Sequence, residues 1–222
     1  MLQGLASEGY SCGRYKVRSL MKALNLHAVV PKRYKVTTDS AHGYPLAPNL
    51  LMRKFSVPSP DMVWTADITY IWTLEGWLYL GVVMDLFSRQ ILGWAAENHM
   101  RTDLPLQALH MAWHRRRPSP GLIHHSDRGV QYASGEYRKQ LETYRITPSM
   151  SRKGNCWDNA PMERFFRSLK SEYLNRFRFS TRDTARCEII EYITFYNAYR
   201  IHSSLGYASP LNFEERYRIH AA

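Results

Sequence analysis

The chain has 222 residues, 45% apolar and 13% aromatic, enough for one sizeable core with appendages and incompatible with a disordered protein. Its formal charge of +11 and pI of about 9.7 point to a polyanionic partner. Three scattered cysteines, Cys12, Cys156 and Cys187, form no C-x-x-C pair, and no apolar run approaches the roughly 18–20 residues of a membrane span, so a disulfide framework, a zinc knuckle and a membrane anchor are all set aside.

The charge is uneven. Residues 1–60 carry nine Lys/Arg against two Asp/Glu, a basic arm ahead of a more balanced domain, which suits nucleic acid better than a membrane surface. With no signal peptide and no paired thiols, the expected setting is a reducing cytoplasm.

Residues 13–26 carry Val17, Leu20, Met21 and Leu24 at helical spacing, with Arg14, Arg18 and Lys22 on other faces. This basic amphipathic helix reads either as the last helix of a helix-turn-helix unit or as a small packing helix with solvated cations. Residues 31–60 hold five prolines and the basic runs Lys32-Arg33-Tyr34-Lys35 and Arg53-Lys54, a linker lying along the core or along DNA.

From Trp64 to Tyr70, β-branched and aromatic residues alternate with period two, the pattern of a strand. One carboxylate, Asp67, sits in its middle, where an unpaired charge is costly unless it is paired or bound to a metal. Two more predicted strands, at 77–85 and 90–96, follow across short turns and complete an antiparallel meander. A helix from Asp103 (as N-cap) to Arg117, a strand over 121–126, a helix capped by Ser134 and running to about Tyr144, and a strand over 146–150 follow.

Asp158 is the expected N-cap of a helix through Tyr173, with Pro161 in its first turn and Met162, Phe165, Phe166, Leu169 and Tyr173 as its core stripe. A last helix spans about 184–200. The order βββαβαβ followed by helices predicts an α/β fold, a mixed five-stranded sheet flanked by helices, with a basic N-terminal helical arm. Its expected division is 1–54 arm and linker, 55–177 core, and 178–222 C-terminal helical extension.

Asp67 in a strand, Asp127 just after one, and Glu163 at a helix start are candidates for one divalent-metal site, since Mg²⁺ takes a few carboxylates plus waters and phosphates. Asn159, Glu163 and Lys170, spaced by four and seven, are expected on one helix face, with Lys170 about 10 Å beyond Glu163.

The motifs Trp64-Thr65-Ala66-Asp67-Ile68-Thr69-Tyr70, His125-Ser126-Asp127-Arg128-Gly129-Val130-Gln131-Tyr132 and Lys153-Gly154-Asn155-Cys156-Trp157-Asp158-Asn159-Ala160-Pro161-Met162-Glu163-Arg164-Phe165-Phe166 resemble the catalytic blocks of bacterial DDE transposases. The insertion sequence 3 family is the match, with a core similar to retroviral integrases and the ribonuclease H fold. Tyr196-Asn197, Arg200 and His202-Ser203-Ser204-Leu205-Gly206-Tyr207 resemble its C-terminal signature, and the resemblance spans about residues 55–215.

The resemblance implies that Asp67, Asp127 and Glu163 ligate Mg²⁺ (or Mn²⁺) for DNA cleavage, after which a freed 3′-hydroxyl attacks a target phosphodiester. It implies terminal-DNA contacts from Asn159 and Lys170, and Arg128 and Lys153 in the same motifs, with Arg167 just after the last, join Arg14, Arg18 and Lys22 as candidate DNA contacts. Partners implied are double-stranded DNA, further copies of the chain in a synaptic multimer, and an upstream-frame helix-turn-helix protein, in a bacterial, nucleoid-associated setting. Family members usually begin with more helix-turn-helix sequence than the tail found after Met1. Two other readings stay open: a non-catalytic DNA-binding regulator that competes with a longer transposase, and a ribonuclease H-like nuclease acting by hydrolysis alone.

Overall fold

Val63 to Thr73 forms β1, buried on both faces at its start and alternating from Thr69 on, the middle strand of the sheet seen in a computed structural model that describes residues 1–27 and 43–221. β2 (Gly76–Asp85) and β3 (Ile91–Glu97) continue as the expected antiparallel meander, while β4 (Ile123–Ser126) and β5 (Thr147–Met150) add to the other side of β1 in parallel. The strand order is β3-β2-β1-β4-β5.

The two faces of the sheet are both apolar because both are covered. Trp64, Ala66, Val83, Leu92 and Ala95 pack with α3 (Asp103–Arg116), α4 (Val130–Ala133) and α5 (Gly135–Thr143). Ile71, Leu78, Leu80, Val82, Met84 and Ile91 face α6 (Ala160–Ser168) and α7 (Arg182–Ala198). Contact with α3 is closest at Gly93, where a Cβ would lie 2.0 Å from the Ala108 carbonyl oxygen, so only glycine fits. Because α7 shares this cluster, the 178–222 segment is packed onto the sheet, and α8 (Pro210–Ala221), which the sequence reading did not foresee, sets Phe213 and Tyr217 against Phe87.

Two expected caps shift. Thr102, rather than Asp103, precedes α3, and Asp103 is its first residue. Asn159, rather than Asp158, precedes α6, after a 3₁₀ turn over Cys156–Asn159. Asp158 was recruited elsewhere: its buried carboxylate accepts from Asn49 Nδ2 (2.9 Å), Arg53 Nε (2.7 Å) and the Arg152 backbone and guanidinium (3.0 Å), tying the incoming linker to the core. Ser134 caps α5 as expected, accepting from Tyr137 N.

The helix through 173 does not stay α-helical. Leu169–Tyr173 winds as a π-helix, one residue wider per turn, a form frequent at functional sites.

At the N-terminus α2 (Arg14–Ala23) forms where predicted, preceded by the unforeseen short α1 (Leu2–Ser7). Of its apolar stripe only Val17 is buried; Leu20 and Leu24 are exposed. The basic run at 32–35 lies outside the described residues. The described part of the linker runs along the core, with Leu51 buried and Leu50 N donating to Ser149 Oγ.

Candidate active site

The parallel pairing of β1 with β4 sets the two aspartates. Val63, Trp64 and Thr65 align with Ile123, His124 and His125, and this pairing carries Asp67 toward the end of β4, just past which Asp127 stands. The chain leaves the sheet there. The Asp127 carboxylate accepts from Gly129 N (2.9 Å), and a Cβ on Gly129 would meet that same oxygen at 3.0 Å. Asp67 accepts from its neighbour Ile68 N (2.8 Å). The two acids line one cleft of about 520 Å³ with Tyr70, Trp77, Tyr79 and Gln131.

Glu163 comes from the other layer. Asn159, one helical turn before it, donates its amide to the Ala66 carbonyl (3.1 Å), one residue before Asp67, and this pins the start of α6 over the strand carrying the first acid. Burial pushes the Asp67 carboxyl well above its ordinary value, with Asp127 and then Glu163 adding to the push; the Ile68 amide and Lys170 oppose it. The Lys170 ammonium lies 4.8 Å from the Tyr70 ring centroid, drawn down by burial and held up by Asp67. It occupies the π-helical turn, so the simple α-helical spacing from Glu163 does not apply.

Among the described residues no three acidic, histidine or cysteine side chains stand close enough together to hold an ion as they are oriented. What fits a cation is the charge balance at Asp67: the Asp127 and Glu163 carboxylates both act on it, against one cation, Lys170. All the donors are hard oxygens, the set that Mg²⁺ or Mn²⁺ takes.

The expected DNA contacts separate into groups. Arg167, four residues after Glu163, and Lys153 are exposed, and Arg14, Arg18 and Lys22 are exposed on α2. Arg128 is half-buried and donates to the Ser151 carbonyl (2.7 Å), closing the Asp127 turn. Asn159 is only 4% exposed, with its amide donated to Ala66 at the start of α6.

The C-terminal signature acts as a buttress that sequence reasoning noticed without explaining. Asn197 accepts from Ile91 N and donates to Ile91 O, so its amide pairs with the edge of β3 as another strand would. Arg200 makes two bonds to Glu172 in the π-helical turn (2.7 and 2.6 Å). Tyr196 stacks edge-on against Phe165 and His202.

A central strand with one acid, a second acid at the end of the neighbouring parallel strand and a third on the covering helix define a ribonuclease H-like, integrase-type nucleotidyl-transfer core. Two integrase core domain families match residues 57–156 and 144–210. The chain is 47% identical over 219 residues to the Insertion element IS600 uncharacterized 31 kDa protein of Shigella sonnei, covering 98% of this chain and 80% of that protein. It is 41% identical over 214 residues to transposase InsF for insertion sequence IS3A of Escherichia coli (strain K12), covering 96% and 74% respectively. The chain therefore belongs to the integrase-core transposase family of IS3-type insertion sequences.

Solved structures agree on the fold. The HTLV-2 integrase catalytic core domain in complex with magnesium has a TM-score of 0.55 at 17% identity, covering 70% of this chain and 97% of that one. The integrase of a simian T-cell lymphotropic virus intasome, in complex with PP2A regulatory subunit B56 gamma, has a TM-score of 0.58 at 16% identity, covering 90% and 69%. Among the described residues no helix is long and apolar enough to cross a membrane.

Proposed function

We propose that this chain is a DDE transposase that cuts DNA at the ends of an insertion sequence and joins the freed 3′-hydroxyl to a target phosphodiester, with Asp67, Asp127 and Glu163 as the acids that hold Mg²⁺ or Mn²⁺. The observation that carries this reading is the single cleft lined by Asp67 and Asp127, at the end of the parallel β1–β4 pairing and beneath a helix whose start is bonded to Ala66. A divalent ion bound by these acids would polarise the phosphodiester and lower the pKa of the attacking hydroxyl.

The chain's own groups do the rest. The Gly129 amide holds the Asp127 carboxylate in a fixed orientation, and the Asn159–Ala66 bond keeps α6, and hence Glu163, against the strand. Lys170 and the exposed Arg167 and Lys153 would receive DNA phosphates, with Arg14, Arg18 and Lys22 extending that contact. The partners we infer are double-stranded DNA, further copies of the chain bringing two ends together, and an upstream-frame helix-turn-helix protein, in the bacterial cytoplasm.

The test is strand transfer on an oligonucleotide carrying the element end, with and without Mg²⁺. Asp67→Ala and Glu163→Ala should each abolish transfer while leaving DNA binding largely intact; unimpaired transfer by either would refute the assignment. Nicked products without joined strands would instead make the chain a hydrolytic nuclease.

A further inference from the structure

Glu163 lines a recess of its own, separate from the cleft of the two aspartates, of about 500 Å³, inside the roughly 300–1,000 Å³ range of small-ligand sites. Its walls bring together Phe55, Arg89, Trp157, Arg164, Arg200 and His202, from four separate stretches of chain. Arg200 is neutralised by Glu172. Arg89 and Arg164 are in no ion pair among the described residues.

Arg89 is the more telling of the two. It holds a left-handed backbone at φ 63°, a conformation that a non-glycine residue adopts only when its surroundings enforce it. Its Nη2 donates to the Phe55 carbonyl (2.9 Å), while its Nη1 is buried with no partner among the described residues. A buried, charged donor left without an acceptor is expensive, and an anionic oxygen in the recess would satisfy it. At the mouth stands Trp157, 69% exposed, an aromatic surface that no packing requirement explains. Cationic recess plus open aromatic face is the combination by which proteins take single-stranded nucleic acid, and the stacked bases of a duplex could not enter so small a hollow.

We propose that this recess is a pocket for one unpaired nucleotide of a DNA strand passing Glu163, its phosphate on Arg89 and Arg164 and its base against Trp157. The proposal rests on the reading of the chain as a DNA strand-transfer enzyme. An opened or overhanging strand beside the cleavage point would be gripped there, and a fully paired one would not.

The experiment measures fluorescence anisotropy of the full chain with two labelled DNAs, a blunt duplex and the same duplex with a three-nucleotide single-stranded overhang, across a salt series. Wild type should prefer the overhang. Trp157→Ala should weaken overhang binding about tenfold and leave blunt binding unchanged. Arg164→Gln should remove about one unit of salt slope on the overhang DNA only. Lys139→Gln, an exposed charge on α5, is the control and should retain the preference. Both substitutions are at exposed positions, and matching circular dichroism melts guard against misfolding.

Equal weakening of both DNAs, or none, overturns the pocket, as does competition by polyglutamate as strong as that by a trinucleotide. If blunt-end strand transfer proceeds while the overhang preference ignores both variants, the pocket alone fails. If overhang binding behaves as described but no transfer occurs under any condition, the pocket stands and the enzymatic reading fails.

Discussion

Replacing Asp67 by Asn should make the metal-free protein more stable while ending strand transfer. Asp67 and Asp127 line one cleft, and Asp127 adds to the upward push on the Asp67 carboxyl; two unit charges about one strand spacing apart, roughly 5 Å, repel by about 3 kcal/mol at an effective dielectric constant of ~20. Solvent still reaches part of Asp67, and screening reduces this to about 1–2 kcal/mol, a rise of roughly 2–8 °C in the unfolding midpoint for a chain of this size. The Asn side chain keeps the oxygen that accepts from Ile68 N and gains an amide that can donate to Asp127. The sign with pH follows from the raised carboxyl: the folded protein ionises Asp67 above 3.8, so wild type loses stability as pH rises past that value, and the advantage of the variant grows with it. The assay is thermal unfolding in EDTA and in 10-fold steps of Mg²⁺ between pH 5 and 8. Mg²⁺ should stabilise wild type and leave the variant unmoved. A variant that unfolds at or below the wild-type temperature in EDTA would show that the acids do not repel, and the case for a cation among them would collapse.

Gly93→Ala should cost about 3 kcal/mol or more in urea unfolding, because its Cβ would press on the Ala108 carbonyl at 2.0 Å and the Ala112 amide at 2.7 Å, both backbone atoms of α3; an unchanged midpoint would deny that β3 and α3 touch. Asp158→Asn should destabilise by about 2 kcal/mol at pH 7, a low value for a buried carboxylate because its partners Arg53 and Arg152 are half in water. Those guanidiniums hold the Asp158 carboxyl far below the usual carboxylate range, so its contribution is present above about pH 4 and vanishes as pH falls, and the gap between variant and wild type must close in acid. Burial, with Arg200 alongside, pulls His202 down to about 4. The unfolded chain then takes up the proton first, so up to about 3 kcal/mol should be lost as pH drops from 6.5 to 4. His202→Gln should flatten that slope, and an identical slope in the variant would remove His202 as its source.

How much of this could be read from the chain depended on whether the signal was local. Period-two alternation at 64–72 and the Ser134 cap are local, and they gave the strands and α5 to within a residue or two. Asp67 was legible for the same reason, as a charge interrupting an apolar strand. Asp127 and Glu163 carry no comparable mark; a turn aspartate and a helix glutamate are ordinary, and only the longer motif singled them out. Asp158 misled because an acid ahead of a helix normally caps it, and nothing nearby announces that Arg53, more than a hundred residues earlier, will claim it. The recess was invisible for a related reason. Arg89, Trp157, Arg164 and His202 are unremarkable singly, and only the tertiary fold gathers them. The π-helical turn has no compositional signature, being set by where Arg200 takes hold of Glu172.

These long-range ties bear on what the catalytic unit is. Thr73 at the end of β1 bridges to Phe179, Asn197 closes the open edge of β3, and Arg200 clamps the turn that carries Lys170. An uncovered edge strand invites pairing with another chain, and a side-chain amide that satisfies both Ile91 backbone groups removes that option at the edge. The helix bearing Glu163 is therefore held from two directions, by Asn159 against the strand of the first acid and by the C-terminal signature beyond Lys170. With one acid on a strand, one just past the end of its neighbour and the third on a helix, the relative position of the layers decides whether all three can serve one ion. The residues after 178 set that position, which explains why a signature so far from the acids in sequence accompanies them in one chain.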